Sequence, residues 1–403
     1  MPSQLPDLRL LFVLDSVFPI TKGGSEMRVD RIARYCQDHG CKVDILCGKW
    51  WSGPAKHGFL TGLPVLGSLK KGKLGFLEAA SFAASFAATL PRLETEYDVV
   101  EFSQTPVMHL GLVDFARRSQ LGRSARFLCH VNEVWPAGYW LRYAGAAGGV
   151  MGFGLENYSF RRFNHLITIS EFNRKRLLKR GARPGSVSVI RPGVDFGAVS
   201  SAVASGSYDV IFVGRLVREK GVMLLVDVVP PLEKELGRKV RVAVAGAGPE
   251  AEEMKRKALG AGVGESVSFL GRVETQGELY SLLKSSKVFV YPAAPEGGWS
   301  LAMVEANAAA VPTVSCAASE IGTAREVIDE GVNGVIVPSL NAEMFAVTLA
   351  GLLRDEARLS NLSKSSIESA RRYDWGVVGA ETLDLYRRIA AEGVEREQES
   401  GTK

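Results

Sequence analysis

The sequence predicts an α/β protein built from two doubly wound parallel sheets. Three observations carry that expectation. Short apolar runs, such as residues 8–14 and 210–213, alternate with longer helical patterns. The runs are continuously apolar, the pattern of parallel strands covered on both faces. The whole series occurs twice, on either side of a stretch marked by Pro192 and Gly193.

In the first series, residues 8–14 read as a buried strand. Gly23-Gly24-Ser25-Glu26 is a turn, and 27–39 is a helix. Further strands are expected at 42–46, 99–102, 127–130 and 165–169. The mostly uncharged stretches 76–90, which carries Glu78 and many small residues, and 143–155, which is glycine-rich, read as buried or interfacial helices rather than membrane spans. In the second series, strands are expected at 210–213, 240–245, 267–270, 288–291, 313–315 and 335–337. Helices at 221–236 and 249–259 lie between them, the second with Pro249 at its first position. The first domain is expected to span 1–195 and the second 196–374. An amphipathic helix follows at 375–391, and the charged tail 392–403 is expected to fray.

The bulk properties narrow the function. The 403 residues carry a formal net charge of +5, with no long block of like charge, so nucleic acid is not an expected partner. Five cysteines, without a CxxC pair, argue against a disulfide framework or a zinc site. The N-terminus lacks the basic-then-apolar order of a signal peptide, and the expected location is cytoplasmic. The basic stretch 161–183, which Lys70, Lys71 and Lys73 can extend, is an ordinary solvated helix face or a contact for the anionic inner face of a membrane. Trp50, Trp51, Trp135 and Trp140 line an acceptor groove or fill cores.

The chemistry concentrates between Pro295 and Asn307. Glu296 precedes Gly297-Gly298-Trp299, and Glu305 lies in a helical pattern after Ser300, Leu301 and Ala302. A glycine-rich turn entering a helix offers free N–H groups and the positive end of a helix dipole, which suits phosphate. Ionised carboxylates accept hydrogen bonds from hydroxyls. Together these suggest a nucleotide-sugar. Arg215 and Lys220 bracket a turn into a helix, where the dipole disfavours cations. That misfit favours a binding role over a solvated pair. Gly23 and Gly24 follow the first strand, where open α/β sheets bind ligands; the plainer reading is a flexible turn. His130 ends a strand, where it can meet a sugar hydroxyl or serve only packing. Gly246-Ala247-Gly248-Pro249 lacks the third glycine of a dinucleotide fingerprint.

These motifs, in this order, resemble those of the large retaining glycosyltransferase family 4, also called group 1, over almost the whole chain. They are Gly23-Gly24-Ser25-Glu26, Ile169-Ser170-Glu171-Phe172, Ile190-Arg191-Pro192-Gly193-Val194-Asp195, Phe212-Val213-Gly214-Arg215-Leu216, Glu219-Lys220-Gly221, Val244-Ala245-Gly246-Ala247-Gly248-Pro249, Phe269-Leu270-Gly271-Arg272 and the two-glutamate segment. The resemblance implies a GT-B fold: two Rossmann-like domains facing a cleft, acceptor on the first and donor on the second, with the last helix crossing back. It implies transfer of a hexose-type sugar from a nucleotide-sugar to an acceptor hydroxyl, with retention, without metal or other cofactor. The acceptor is left open among glycan, lipid and small molecule. By resemblance Arg215 and Lys220 grip the diphosphate, Glu305 takes the ribose hydroxyls, and amides near Ser300, Leu301 and Ala302 meet the phosphates. Glu296 and His130 serve the transferred sugar. The rivals are a nucleotide-sugar epimerase of the same architecture and a non-catalytic sugar-nucleotide-binding partner. This chain departs from the family pattern in three places. Eight residues separate Glu296 from Glu305 where seven are usual, Ala310 stands where glycine is common, and Ser319-Glu320-Ile321-Gly322 is glycine-poor.

Overall fold

The computed structural model describes residues 8–21, 23–50, 60–63, 76–93, 96–105, 107–122, 124–292, 299–316 and 323–401. The chain divides into two compact units: Met1–Pro192 together with Trp375–Lys403, and Gly193–Asp374.

The first unit is a seven-stranded sheet in the order β3-β2-β1-β4-β5-β6-β7. The strands are β1 (Arg9–Leu14), β2 (Lys42–Gly48), β3 (Leu60–Leu63), β4 (Val99–Ser103), β5 (Arg126–Val131), β6 (His165–Thr168) and β7 (Val187–Val189). All pair in parallel. Helices α1 (Gly24–Asp38), α2 (Phe76–Thr89), α3 (Val107–Leu110), α4 (Val113–Arg118), α5 (Ala137–Phe160) and α6 (Glu171–Lys179) connect them. The second unit is a six-stranded parallel sheet in the order β10-β9-β8-β11-β12-β13. Its strands are β8 (Tyr208–Val213), β9 (Val242–Ala245), β10 (Val267–Gly271), β11 (Ser286–Tyr291), β12 (Thr313–Cys316) and β13 (Gly334–Val337). Its helices are α7 (Phe196–Ser201), α8 (Val222–Leu236), α9 (Ala251–Gly260), α10 (Gln276–Lys284), α11 (Leu301–Ala308), α12 (Ala342–Arg354) and α13 (Glu356–Ala370). Helix α14 (Trp375–Gly401) then returns to the first unit.

Strand alternation divides the first core in two. Leu11 and Val13 of β1 join Phe82, Phe86, Phe102 and Phe127 on one face. Leu10, Phe12 and Leu14 join Ile32 of α1 and Leu383 of α14 on the other. This is why the strands read as unbroken apolar runs: both faces of the sheet are covered.

The second face also buries a charged triad. Arg28 of α1 donates to Glu101 of β4 through Nη1 at 2.5 Å and Nη2 at 3.3 Å. The Tyr386 hydroxyl of α14 donates to Glu101 Oε2 at 2.5 Å. Burial and the Glu101 charge hold the Tyr386 phenol well above its ordinary pKa, so it remains a donor. The triad ties α14 to the sheet by a directional contact that apolar packing alone cannot supply.

Three expectations need correction. Strands β3 and β7 were not expected; both are short, and both lie at sheet edges, where little apolar burial marks them. The expected frayed tail is helical to Gly401, in keeping with its helix-favouring Glu, Gln and Arg. Pro249 is not the first helical residue, because α9 starts at Ala251 after a turn in which the Glu250 amide donates to Leu216 O. Ala310, where glycine is common in the resembled family, adopts φ +65°, the left-handed conformation that closes α11.

Replacing Glu101 with Gln leaves Arg28 buried without its counter-charge, and is expected to cost about 3–5 kcal/mol in denaturant unfolding. Tyr386→Phe removes one donor, and is expected to cost only about 1–3 kcal/mol. A Glu101→Gln protein unfolding at the wild-type midpoint contradicts the role given to the triad. Ala310→Gly relieves the left-handed strain, and is expected to raise stability by up to about 1 kcal/mol in the same assay.

Candidate functional site

In the second unit the strand order reverses between β8 and β11. A reversal of strand order in a parallel sheet leaves a crevice beyond the carboxyl ends of the strands, where ligands bind in open α/β sheets. Arg215 and Lys220 follow β8, and α11 follows β11, so both arms of this switch point carry residues singled out from the sequence.

The turn after β8 is held by its neighbour after β9. The Gly214 amide donates to Ala245 O and the Leu216 amide to Ala247 O, each at 3.0 Å. A Cβ on Gly246 would lie 1.8 Å from Gly214 O, and one on Gly248 2.1 Å from Leu216 O. Gly246 and Gly248 therefore let two backbones touch, and this close approach accounts for the GxG pattern. Arg215 sits on the supported turn. Its side chain is exposed and makes no hydrogen bond or ion pair among the described residues. Lys220 ends a short 3-10 turn, and its Nζ donates to the Tyr291 hydroxyl at 2.5 Å. Tyr291 is the last residue of β11, so this bond reaches from one arm of the switch point to the other.

Helix α11 begins after Ser300, whose side chain makes no capping bond, and its first turn contains no acid. The first N–H groups of a helix have no intrahelical partner, so those of Leu301 and Ala302 are available to an anion. One turn further, Glu305 is 8% exposed. Its carboxyl makes no hydrogen bond or ion pair among the described residues. Burial pushes its pKa up to about 7. A buried carboxyl without a partner is costly, and hydroxyl donors from a ligand would relieve that cost. Glu296, Gly297 and Gly298 lie outside the described residues, as does the 319–322 segment.

The first unit has its own reversal, between β1 and β4. Gly23 caps α1 and lies so close to Glu26 that a Cβ would fall 2.2 Å from its Oε2. Gly24 is exposed, and a Cβ there would meet nothing within 4 Å. His130 lies on β5 in register with Ser103 of β4. It is buried, and its Nε2 has no partner among the described residues. Burial, then the Arg28 charge, hold its pKa well below the usual histidine value, so the ring is neutral at pH 7.

Sequence reasoning missed several polar groups here. Asp15 follows β1, and its carboxyl is raised to about 7 by burial and by the Glu26 charge. Ser16 Oγ and Ser103 Oγ are buried without partners among the described residues. Their positions, at or just past the ends of apolar runs, were the available signal. The loop after β5 is also fixed unusually firmly. Carbonyls 131 to 135 accept, in turn, from Thr168, Asn173, Gln104, Arg176 and Arg180. Asn132 in that loop donates to Ser25 Oγ at 2.8 Å, joining it to the start of α1. Glu156, fully buried in α5, accepts from Gln104, Trp140 and Arg180, and so anchors the clamp. Among the described residues no three His, Cys, Asp or Glu side chains are grouped as metal ligands.

Comparison with known proteins places this architecture. Residues 22–197 match the model of Glycosyltransferase Family 4, and residues 198–372 match that of Glycosyl transferases group 1. The phosphatidyl-myo-inositol mannosyltransferase of Mycobacterium leprae is 31% identical over 216 residues, which cover 52% of this chain and 56% of that protein. The chain spans about half the length of the curated relatives it matches. Among solved structures, sucrose-phosphate synthase from Thermosynechococcus elongatus aligns with TM-score 0.76 at 19% identity, over 96% of this chain and 100% of the other. HepE of Anabaena, solved with UDP and glucose, aligns with TM-score 0.71 at 17% identity, over 94% and 99%. These likenesses establish the GT-B fold class. With two adjacent family models accounting for residues 22–372, the chain belongs to the family 4, group 1 glycosyltransferases.

Proposed function

We propose that this protein transfers a hexose-type sugar from a nucleotide-sugar to an acceptor hydroxyl with retention of anomeric configuration. The observation that carries the reading is the switch point of the second unit. It joins Arg215, Lys220, the start of α11 and a buried, unpartnered Glu305 at the carboxyl ends of two adjacent parallel strands. The UDP and glucose bound to HepE support a nucleoside diphosphate sugar as donor.

In this reading the second unit holds the donor. The ribose hydroxyls donate to Glu305, and the diphosphate meets the first amides of α11. Arg215 and Lys220 face the leaving diphosphate, whose negative charge grows as the glycosidic bond breaks. Fixed cations there stabilise the transition state more than the ground state. They supply the charge that a metal would otherwise bring, so the reaction proceeds without one. The first unit holds the acceptor. His130, neutral and with an unpartnered Nε2, serves as a hydrogen-bonding group toward the transferred sugar, alongside Glu296. The departing phosphate takes the acceptor proton on the same face of the sugar, which gives retention without a covalent enzyme intermediate. The mannosyltransferase from M. leprae supports a hexose as the transferred group.

Glu305 gives the reading a pH signature. A carboxyl raised to about 7 is largely protonated below that pH, and the ionised form accepts from hydroxyls more strongly than the protonated one. Donor affinity is therefore expected to rise as pH increases through about 7, with proton release on binding below it. The same raised pKa means that the ionised group disfavours the empty folded state. Its contribution to stability is greatest below the unfolded value and is lost as pH rises through about 7.

Calorimetry with sugar nucleotides in buffers of different ionisation enthalpy is expected to detect that proton. Glu305→Gln is expected to abolish it and to weaken binding by about 1–3 kcal/mol. A pH-independent affinity in the wild type contradicts the ribose role. Arg215→Ala is expected to lower turnover about a hundredfold or more, with a smaller effect on donor affinity. Unchanged turnover with a competent acceptor removes Arg215 from the mechanism.

A further inference from the structure

Helix α5 is amphipathic in the wrong sense for a helix facing water. Its one acidic residue, Glu156, is fully buried, whereas its exposed stripe is apolar. Past a break at Gly145, whose φ of 73° is not helical, that stripe runs through Ala147, Val150, Met151, Gly154 and Tyr158, at the three- and four-residue steps of one helix face. Val150 is 68% exposed and Tyr143 60%. A solvent-facing stripe normally carries the charged residues of its helix. Ahead of it, Trp135 packs against Tyr139 and Tyr143, with ring centroids 4.6 and 5.1 Å apart. Such amphipathic aromatics favour the boundary between apolar and aqueous phases.

The charge around the stripe is strongly one-sided. Residues 137–183 contain nine Lys or Arg and two Glu, an excess of seven, in a chain whose whole excess is five. Both glutamates are engaged: Glu156 with Arg180 at 2.7 Å, and Glu171 with Arg174 at 3.3 Å. At the far end of the stripe lies a cavity of about 440 Å³ lined by Phe153, Asn157, Tyr158, Arg161, Arg162 and Arg180. Arg161 uses only its Nε, donating to Arg180 O at 3.1 Å. Its two terminal nitrogens make no bond among the described residues. Arg180 is paired with Glu156, and Arg162 with Asp114 at 3.3 Å, so the terminal nitrogens of Arg161 offer a phosphate oxygen its cationic seat, beside a stripe that offers an acyl chain an apolar one.

We propose that the α5 stripe docks the protein on an anionic phospholipid bilayer. Val150 and Met151 enter the interface, and the arginine-lined cavity receives a lipid phosphate. Charge complementarity selects this occupant over a second copy of the chain, since two faces of like charge would repel. The structure provides for surface attachment only: among the described residues no helix is long and apolar enough to cross a membrane. The proposal does not rest on the donor chemistry above, because docking needs no turnover.

Co-sedimentation of the full chain with phosphatidylcholine vesicles, with and without phosphatidylglycerol, tests it. Binding is expected to be about tenfold or more tighter with the anionic lipid and to fall with added salt. Val150→Asp combined with Met151→Asp is expected to abolish binding while leaving sugar-nucleotide affinity unchanged. Val150→Trp is expected to strengthen binding, which guards against a loss caused by misfolding. Arg161→Ala is expected to reduce the preference for anionic lipid. Absence of vesicle binding, binding indifferent to lipid charge, or a double variant that binds like wild type overturns the proposal. So does a wild-type dimer, seen by sedimentation, that the double variant converts to monomer.

Discussion

The site depends on a topological constraint of parallel sheets. Every connection in such a sheet leaves from a carboxyl end, and where strand order reverses the two outgoing connections diverge. The gap between them cannot be filled by either. In the second unit the reversal falls between β8 and β11, and the chain after each strand carries one half of the candidate donor site. The Lys220–Tyr291 bond spans the two halves, so their spacing is set before any ligand arrives. This preorganisation is what electrostatic stabilisation requires: charges already in place when the bond begins to break.

Two buried carboxylates show how differently the fold treats the same chemical group. Glu101 is paired with Arg28 and accepts from Tyr386, so its charge is compensated and its contacts fasten helix α14 to the sheet. Glu305 is buried to a similar degree, but finds no partner among the described residues. The first arrangement stabilises the unit. The second holds a group at a free-energy cost that binding can offset, the mark of a site rather than of a core. His130 follows the second pattern, with a buried ring kept neutral and its Nε2 open.

Much of the fold was legible in the sequence because strands covered on both faces leave continuous apolar runs. The central strands β1, β4, β8 and β11 were all visible in this way. Edge strands β3 and β7 were not, since they bury less and include Gly62 and Ser188. For the second unit, Arg215 and Lys220 could be singled out because cations at a helix start run against the dipole, and Glu305 because a carboxylate just past a glycine-rich turn suits the hydroxyls of a nucleotide-sugar. The glycines of Gly246-Ala247-Gly248 were legible as special but not in their purpose, because contact between two turns is a tertiary fact. Asp15, Ser16 and Ser103 were marked only by their place at or just past the ends of apolar runs; that they are buried is likewise a tertiary fact. The clamp on carbonyls 131 to 135 draws on five residues scattered from Gln104 to Arg180, and only folding brings them to one loop.

The central claim is that one sugar-diphosphate is held at the β8–β11 switch point. The most direct measurement is a crystal structure of the protein with a bound sugar nucleotide. The account predicts ribose oxygens within hydrogen-bonding distance of the Glu305 carboxylate, and diphosphate oxygens shared between Arg215, Lys220 and the first amides of α11. A nucleotide seated elsewhere, with Glu305 still enclosed and partnerless, would contradict it.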